Sequence, residues 1–212
     1  MKRKLFLLVL LSLSIKVGQS QDKKFGLMGG ANYSNVFGDL KDNFDVERRI
    51  SYHVGAFSFL SLSDRIAFSP RVAYSSQGYH IEFGLRQTPN EPLTLFEFTT
   101  RLNYLNVPLL LKYYLKPDFS INFGPQLGFL LNTVTVNKNT SGPSLGDDTT
   151  RISGDFRVDY GLKVGAAYAI THDVFVELNY FQGFSNISRD SIIPTESNNN
   201  SVYQLSVGYF LF

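Results

Sequence analysis

The 212-residue sequence contains no cysteine and no tryptophan, two methionines and three histidines. Without thiols there are no disulfides, no thiolate metal sites and no lipid attached through sulfur. Long apolar runs are also missing. The longest, Leu5 to Leu13, falls well short of the roughly 20 residues a membrane-spanning helix needs, and no later stretch comes closer. Charge is sparse as well, at 18% of residues. Much of the cationic part sits at the start, where Lys2, Arg3, Lys4 and Lys16 stand without an acid. Those four moved aside, the formal net charge falls from +2 to −2, which excludes nucleic-acid binding through bulk charge.

The first twenty residues have the layout of a secretory signal: a basic start, a short apolar core, and Gly18-Gln19-Ser20 as small residues at a cleavage point. Residues 1–20 are therefore expected to be a signal peptide and 21–212 the folded domain. The sequence as a whole is rich in Phe (19), Tyr (12) and Gly (17), nearly all of them in that domain. Its dominant pattern is alternation, which belongs to strands because successive strand side chains point to opposite faces.

The last stretch shows the pattern most plainly. Tyr203, Leu205, Val207, Tyr209 and Leu211 take one face, and Gln204, Ser206 and Gly208 the other. An apolar strand left as an open edge invites aggregation, so it is expected to pair with the first strand and close a barrel. Seven more runs read the same way: 25–34, 52–62, 66–83, 96–115, 119–136, 156–170 and 174–184. Residues 63–65, 116–118 and 171–173 read as tight turns. Residues 35–51, 84–95, 137–155 and 187–200 read as long loops, being polar or carrying Pro89 and Pro92. Connections thus alternate long and short. Short periplasmic turns, long extracellular loops and an even strand number are the marks of an outer-membrane barrel. The fold expected is all-β, an eight-stranded antiparallel up-and-down transmembrane barrel with both termini periplasmic.

A soluble, ligand-holding barrel would alternate too, with the sign reversed. The polar phase here holds Gly, Ser, Asn and Gln with a few charges of both signs, whereas a water-facing wall would carry more Lys and Glu. Polar residues are therefore expected inside and apolar ones outside.

Pro70-Arg71-Val72-Ala73-Tyr74-Ser75-Ser76-Gln77-Gly78 and Tyr104-Leu105-Asn106-Val107-Pro108-Leu109-Leu110-Leu111-Lys112-Tyr113 resemble the PorT-like family of outer-membrane β-barrels. So do Gly124 to Gly128, Asp159 to Leu162, and Glu177 to Tyr180 with Gly183 to Ile187. The resemblance implies an eight-stranded barrel in the outer membrane of a Bacteroidetes-type bacterium, and little about activity. Arg71 and Asn106 depart from it, standing where the family pattern has acids, so any lumen pairing must differ here.

The residues expected to meet in the lumen are Arg71, Lys112, Arg157, Asp159, Lys163 and Glu177. Eight strands leave room only for side chains, so this set is read as a structural charge network and not a channel. A hydrolase needs a nucleophile, a base and an orienting group. Asp173 follows His172, but neighbours in a turn do not aim at one point. Ser76 and His80 share a strand parity and keep one lipid-acting arrangement open. Gly146, Asp147, Asp148 and Asp155 match no ordered calcium loop. No catalytic residue, metal or cofactor is expected. The expected partners are outer-membrane lipid and an envelope protein met through the extracellular loops, where Phe37, Leu40, Phe44, Leu93 and Leu95 lie; the barrel itself is expected to be monomeric.

Overall fold

The computed structural model describes residues 23–40, 45–85, 94–139, 148–153, 157–187 and 197–211. The expected signal peptide lies outside them. The chain forms β1 (Lys23–Gly38), β2 (Val46–Ser63), β3 (Ile66–Leu85), β4 (Thr94–Lys116), β5 (Phe119–Asn139), β6 (Asp148–Ser153), β7 (Val158–Ala169), β8 (Val174–Gly183) and β9 (Asn198–Phe210). All described pairings are antiparallel, in the order β4-β3-β2-β1-β9-β8-β7-β5, and β4 pairs with β5 to complete a ring of eight. The first and last strands meet from Gly26↔Phe210 to Gly38↔Asn198, as their alternation requires.

The ninth strand departs from the expected eight. β6 falls inside the stretch 137–155 expected as loop, and pairs only with β5, from Asn132↔Ser153 to Asn137↔Asp148. Its cause is visible in the register: β5 pairs with β7 only as far as Phe129↔Val158 and then runs on. An unpaired strand edge exposes a row of backbone donors and acceptors, and β6 covers it. Other strands also outrun expectation, β1, β2 and β9 among them. β1 and β2 remain paired at Ser34↔Arg49, and β9 begins at Asn198, inside residues expected as loops. Backbone pairing continues there without apolar alternation, so the apolar pattern marks only part of each strand.

Tight connections at 64–65, 117–118 and 170–173 lie at one end of the barrel, called here the turn end. Backbone bonds tie them together around the rim: Tyr114 N–H to Arg65 O (2.9 Å), Ala169 N–H to Asp118 O (2.8 Å) and Phe210 N–H to Asp173 O (2.8 Å). Leu211 N–H donates to Phe25 O (2.7 Å), placing both described chain ends at this rim. The longer connections lie at the far end. With 23 residues in β4 and 20 in β3, against the roughly 9–11 that cross a bilayer when tilted, the strands project well past any membrane at that end.

The sign of the alternation is polar inward. Leu109, Leu111, Val164 and Leu205 are exposed on the outer wall, while Arg71, Gln77, Asn122, Lys163 and Glu177 are buried. A ligand-holding soluble barrel has the opposite arrangement, so that alternative is excluded. Tyrosines bracket the outer apolar band: Tyr33, Tyr52, Tyr160 and Tyr203 toward the far end, and Tyr113, Tyr168 and Tyr209 toward the turn end, all exposed. Amphipathic rings gather where hydrocarbon meets headgroups. The Arg48 guanidinium lies over Tyr33 and Tyr203, 5.3 and 5.0 Å from the ring centroids.

Candidate functional site

The lumen is where the inward residues converge, and it is filled in three tiers. At the turn end an aromatic plug closes it. Phe57, Phe175 and Phe210 stand edge-on or tilted with centroids 5.1 to 5.6 Å apart, packed with Met28 and Ala167. Two glycines make the plug possible. A Cβ at Gly208 would lie 2.2 Å from the Phe175 ring, and one at Gly26 would lie 2.4 Å from the Phe57 ring. Their small size is a space requirement imposed by the rings opposite.

The middle tier is ionic. Glu177 on β8 receives Arg71 from β3 through two parallel bonds, at 2.5 and 2.9 Å, and Lys112 from β4 at 2.8 Å. Asn179 Nδ2 adds a further bond to the same carboxylate at 2.6 Å. Glu177 is wholly buried, and both cations are almost so. A buried charge stripped of water must find such partners, and the planar Arg fork matches a carboxylate's two oxygens. The Lys112 ammonium also sits 4.8 Å from the Phe175 centroid, coupling this tier to the plug.

Beside it runs a chain of neutral groups. His53 joins Asn32 Oδ1 through Nδ1 and Ser206 Oγ through Nε2, each at 2.8 Å. The amide oxygen of Asn32 only accepts, so Nδ1 carries the proton and Nε2 accepts from the serine hydroxyl. Gln204 Nε2 donates to the same Asn32 oxygen at 2.8 Å. Lys163 donates to Gln204 Oε1 and to Gln126 Oε1, so amide oxygens rather than a carboxylate take its charge.

The upper tier holds Asp159. It accepts from Asn200 Nδ2 (2.7 Å) and Ser185 Oγ (2.5 Å), and Asn200 Nδ2 also reaches the Tyr104 hydroxyl at 3.1 Å. Leu102, Tyr104, Leu130 and Ile187 form an apolar cluster there. Arg157 stays half-buried at the rim and donates to Ile187 O at 2.9 Å.

Of the six residues expected to meet, the structure brings Arg71, Lys112 and Glu177 into direct contact. Lys163, Asp159 and Arg157 are placed on other partners. The amides and hydroxyls that complete the lumen are Asn32, Gln126, Asn179, Asn200, Gln204 and Ser206; inward parity places all of them but Asn200, which lies in an expected loop, and none is named from sequence as a partner of the charged set.

Ser76 and His80 are not joined. Ser76 Oγ accepts from Arg49 at 3.2 Å, while His80 turns Nδ1 to Thr99 Oγ1 (2.9 Å) and Nε2 to Glu82 (3.2 Å). No nucleophile and base therefore face one another at this pair. Among the loop apolar residues, Phe37 is exposed and lines a shallow cleft of about 450 Å³ with Tyr180, Gln182, Gly183, Phe184 and Asn199. Phe44 and Leu93 lie outside the described residues, as do Asp147 and Asp155.

A closed ring of eight antiparallel strands, greasy outside, girdled by tyrosine and plugged by paired charges, defines an outer-membrane β-barrel. The chain belongs to the family described as outer membrane protein beta-barrel domain, whose model matches residues 19–189. Among solved structures it is similar to Ail, the attachment invasion locus protein of Yersinia pestis, at 8% identity and a TM-score of 0.50, covering 90% of this chain and 99% of that one. It is also similar to Neisserial surface protein A, at 12% identity and a TM-score of 0.46, covering 87% and 96%. Likeness at such identity concerns the fold alone. A search of curated protein sequences finds no match.

Proposed function

We propose that this protein is a non-enzymatic, monomeric outer-membrane barrel of the PorT-like kind, a scaffold or accessory to an envelope machine that works through its far end. In this reading the turn end and both termini are periplasmic and the long connections are extracellular. The wall partners with outer-membrane lipid, and an envelope protein meets the projecting strand ends near Phe37. No nucleic acid is involved. The observation that carries the reading is the stacked lumen: aromatic plug, Arg71–Glu177–Lys112 cluster and apolar upper tier follow one another along the axis. A barrel filled in that way has no conduit to offer a solute, and its catalytic alternative at Ser76 and His80 lacks the required contact. What remains available for function is the outer surface of the far end, the usual place for binding on a rigid scaffold.

Two measurements test it. The purified full chain in a planar lipid bilayer is expected to give no discrete conductance steps; stable, reproducible steps would refute the plugged reading. An epitope inserted after Asn90 is expected to be labelled on intact cells, and one fused after Phe212 only after the outer membrane is permeabilised. The reverse pattern would invert the orientation.

A further inference from the structure

We propose that His80, Glu82 and Glu97 form a binding site for a single divalent transition-metal ion, with Zn²⁺ the best match. The site is independent of the scaffold reading above. His80 and Glu82 are two apart on β3, so both lie on one face of the strand. Their register partners on β4 are Thr99 and Glu97. Glu82 and Glu97 are therefore directly opposed, an arrangement of like charges that destabilises a sheet unless a cation lies between them. One donor atom from each of the three residues falls within 4.8 Å of the others.

The imidazole is held in the right attitude. Its Nδ1 is engaged by Thr99 Oγ1 at 2.9 Å, and Nε2 sits 3.2 Å from both Glu82 Oε1 and Glu97 Oε1. A hydrogen bond on one ring nitrogen that aims the other at a metal is the usual second support of a histidine ligand. The Thr99 hydroxyl can accept from Nδ1–H or donate to Nδ1; in the first arrangement Nε2 is an acceptor facing two further acceptors, a geometry that a cation at their centre satisfies. Tetrahedral Zn²⁺ with nitrogen and oxygen donors at about 2.1 Å spaces its donors about 3.4 Å apart, close to the separations found. Three protein ligands leave the fourth position for water. The imidazole disfavours Ca²⁺ and Mg²⁺, which take oxygen ligands.

Solvent reaches the site: the side chains of Glu82, Glu97 and His80 are 64%, 31% and 18% exposed. It lies on the continuation of the face that carries Val72 and Tyr74 on β3 and Leu105 on β4, in unbroken register beyond the apolar band. Two more charges flank it by register, Glu47 of β2 across from His80 and Lys138 of β5 across from Glu97. The alternative to a metal is an Nε2–H imidazole whose proton is shared by the two carboxylates while the Thr99 hydroxyl donates to Nδ1. Spacing along the chain gives no hint of the site, because its residues come from two strands separated by residues 86–93.

The experiment uses the untagged full chain, refolded in detergent and titrated with Zn²⁺ by calorimetry. One ion per chain is expected. His80→Ala and Glu97→Gln are each expected to weaken binding at least about tenfold, and His172→Ala to leave it unchanged. Co²⁺ in place of Zn²⁺ is expected to give the visible absorption of a tetrahedral ion in wild type and none in His80→Ala. Heat-modifiable gel mobility checks that every variant is folded. No stoichiometric uptake by wild type, or uptake unaltered in both His80→Ala and Glu97→Gln, would overturn the proposal in favour of the proton-shared triad.

Discussion

Glu177→Ala is expected to lower the stability of the barrel by about 3–5 kcal/mol, the largest loss of any single side chain in the lumen. The reason is arithmetic of charge. Glu177 is the carboxylate that Arg71 and Lys112 share, at 2.5 and 2.8 Å, and it is completely buried. Its removal leaves two cations facing each other in a dry interior with no counter-ion, and the Asn179 amide loses an acceptor as well. Breaking a buried pair is costly because of the orphan left behind, not because the pair itself is worth so much. A second variant separates these two ideas. Arg71→Met, Lys112→Met and Glu177→Leu together remove the orphan along with the pair, and are expected to recover most of the loss. The measurement is the urea midpoint in lipid vesicles, with folded fraction read from heat-modifiable mobility. A loss below about 1 kcal/mol for Glu177→Ala would mean that water reaches the cluster and that the lumen is wet.

This cluster also shows how far the sequence could be read. Parity placed Arg71, Lys112, Lys163 and Glu177 on inward faces, since in a strand every second residue shares a side. It could not say which would touch. Contact across the lumen depends on the relative height of strands that are not neighbours, such as β3 and β8, and that height is set by the tilt and stagger of the closed barrel. Parity alone therefore treated Lys163 like Lys112, although the first reaches glutamine oxygens and the second a carboxylate. The same limit explains the strand ends. Alternation faded where β1, β2 and β9 leave the apolar band, and the expected loops began there, yet backbone pairing runs on to Gly38↔Asn198. β6 was invisible for a related reason: it is six residues of Asp, Thr, Arg, Ile and Ser that exist as a strand only because β5 outruns β7. The turns were legible because their residues act locally, and Pro117 and Asp118 do form one.

Leu205→Arg is expected to destabilise the barrel by about 2–4 kcal/mol, while Ile152→Arg is expected to change stability by less than about 0.5 kcal/mol. The two positions make a fair contrast because bare geometry does not distinguish them: Leu205 is 53% exposed and Ile152 is 56% exposed. What differs is the medium each meets. Leu205 stands on β9 between Tyr203 and Tyr209, in register with Ala31 on one side and Leu178 on the other. That is the middle of the apolar band, where the solvent is hydrocarbon and a guanidinium has no water to keep. Ile152 lies on β6, paired to Thr133 of β5 beyond that band, where the solvent is water. Neither substitution removes a lumen contact, so packing cannot account for a difference between them. The check is again the urea midpoint in vesicles, followed by the same comparison in detergent, where a pliable micelle should shrink the gap. Equal small losses at both sites in vesicles would mean that the outer wall faces water, and the chemistry of the whole wall would then need another explanation.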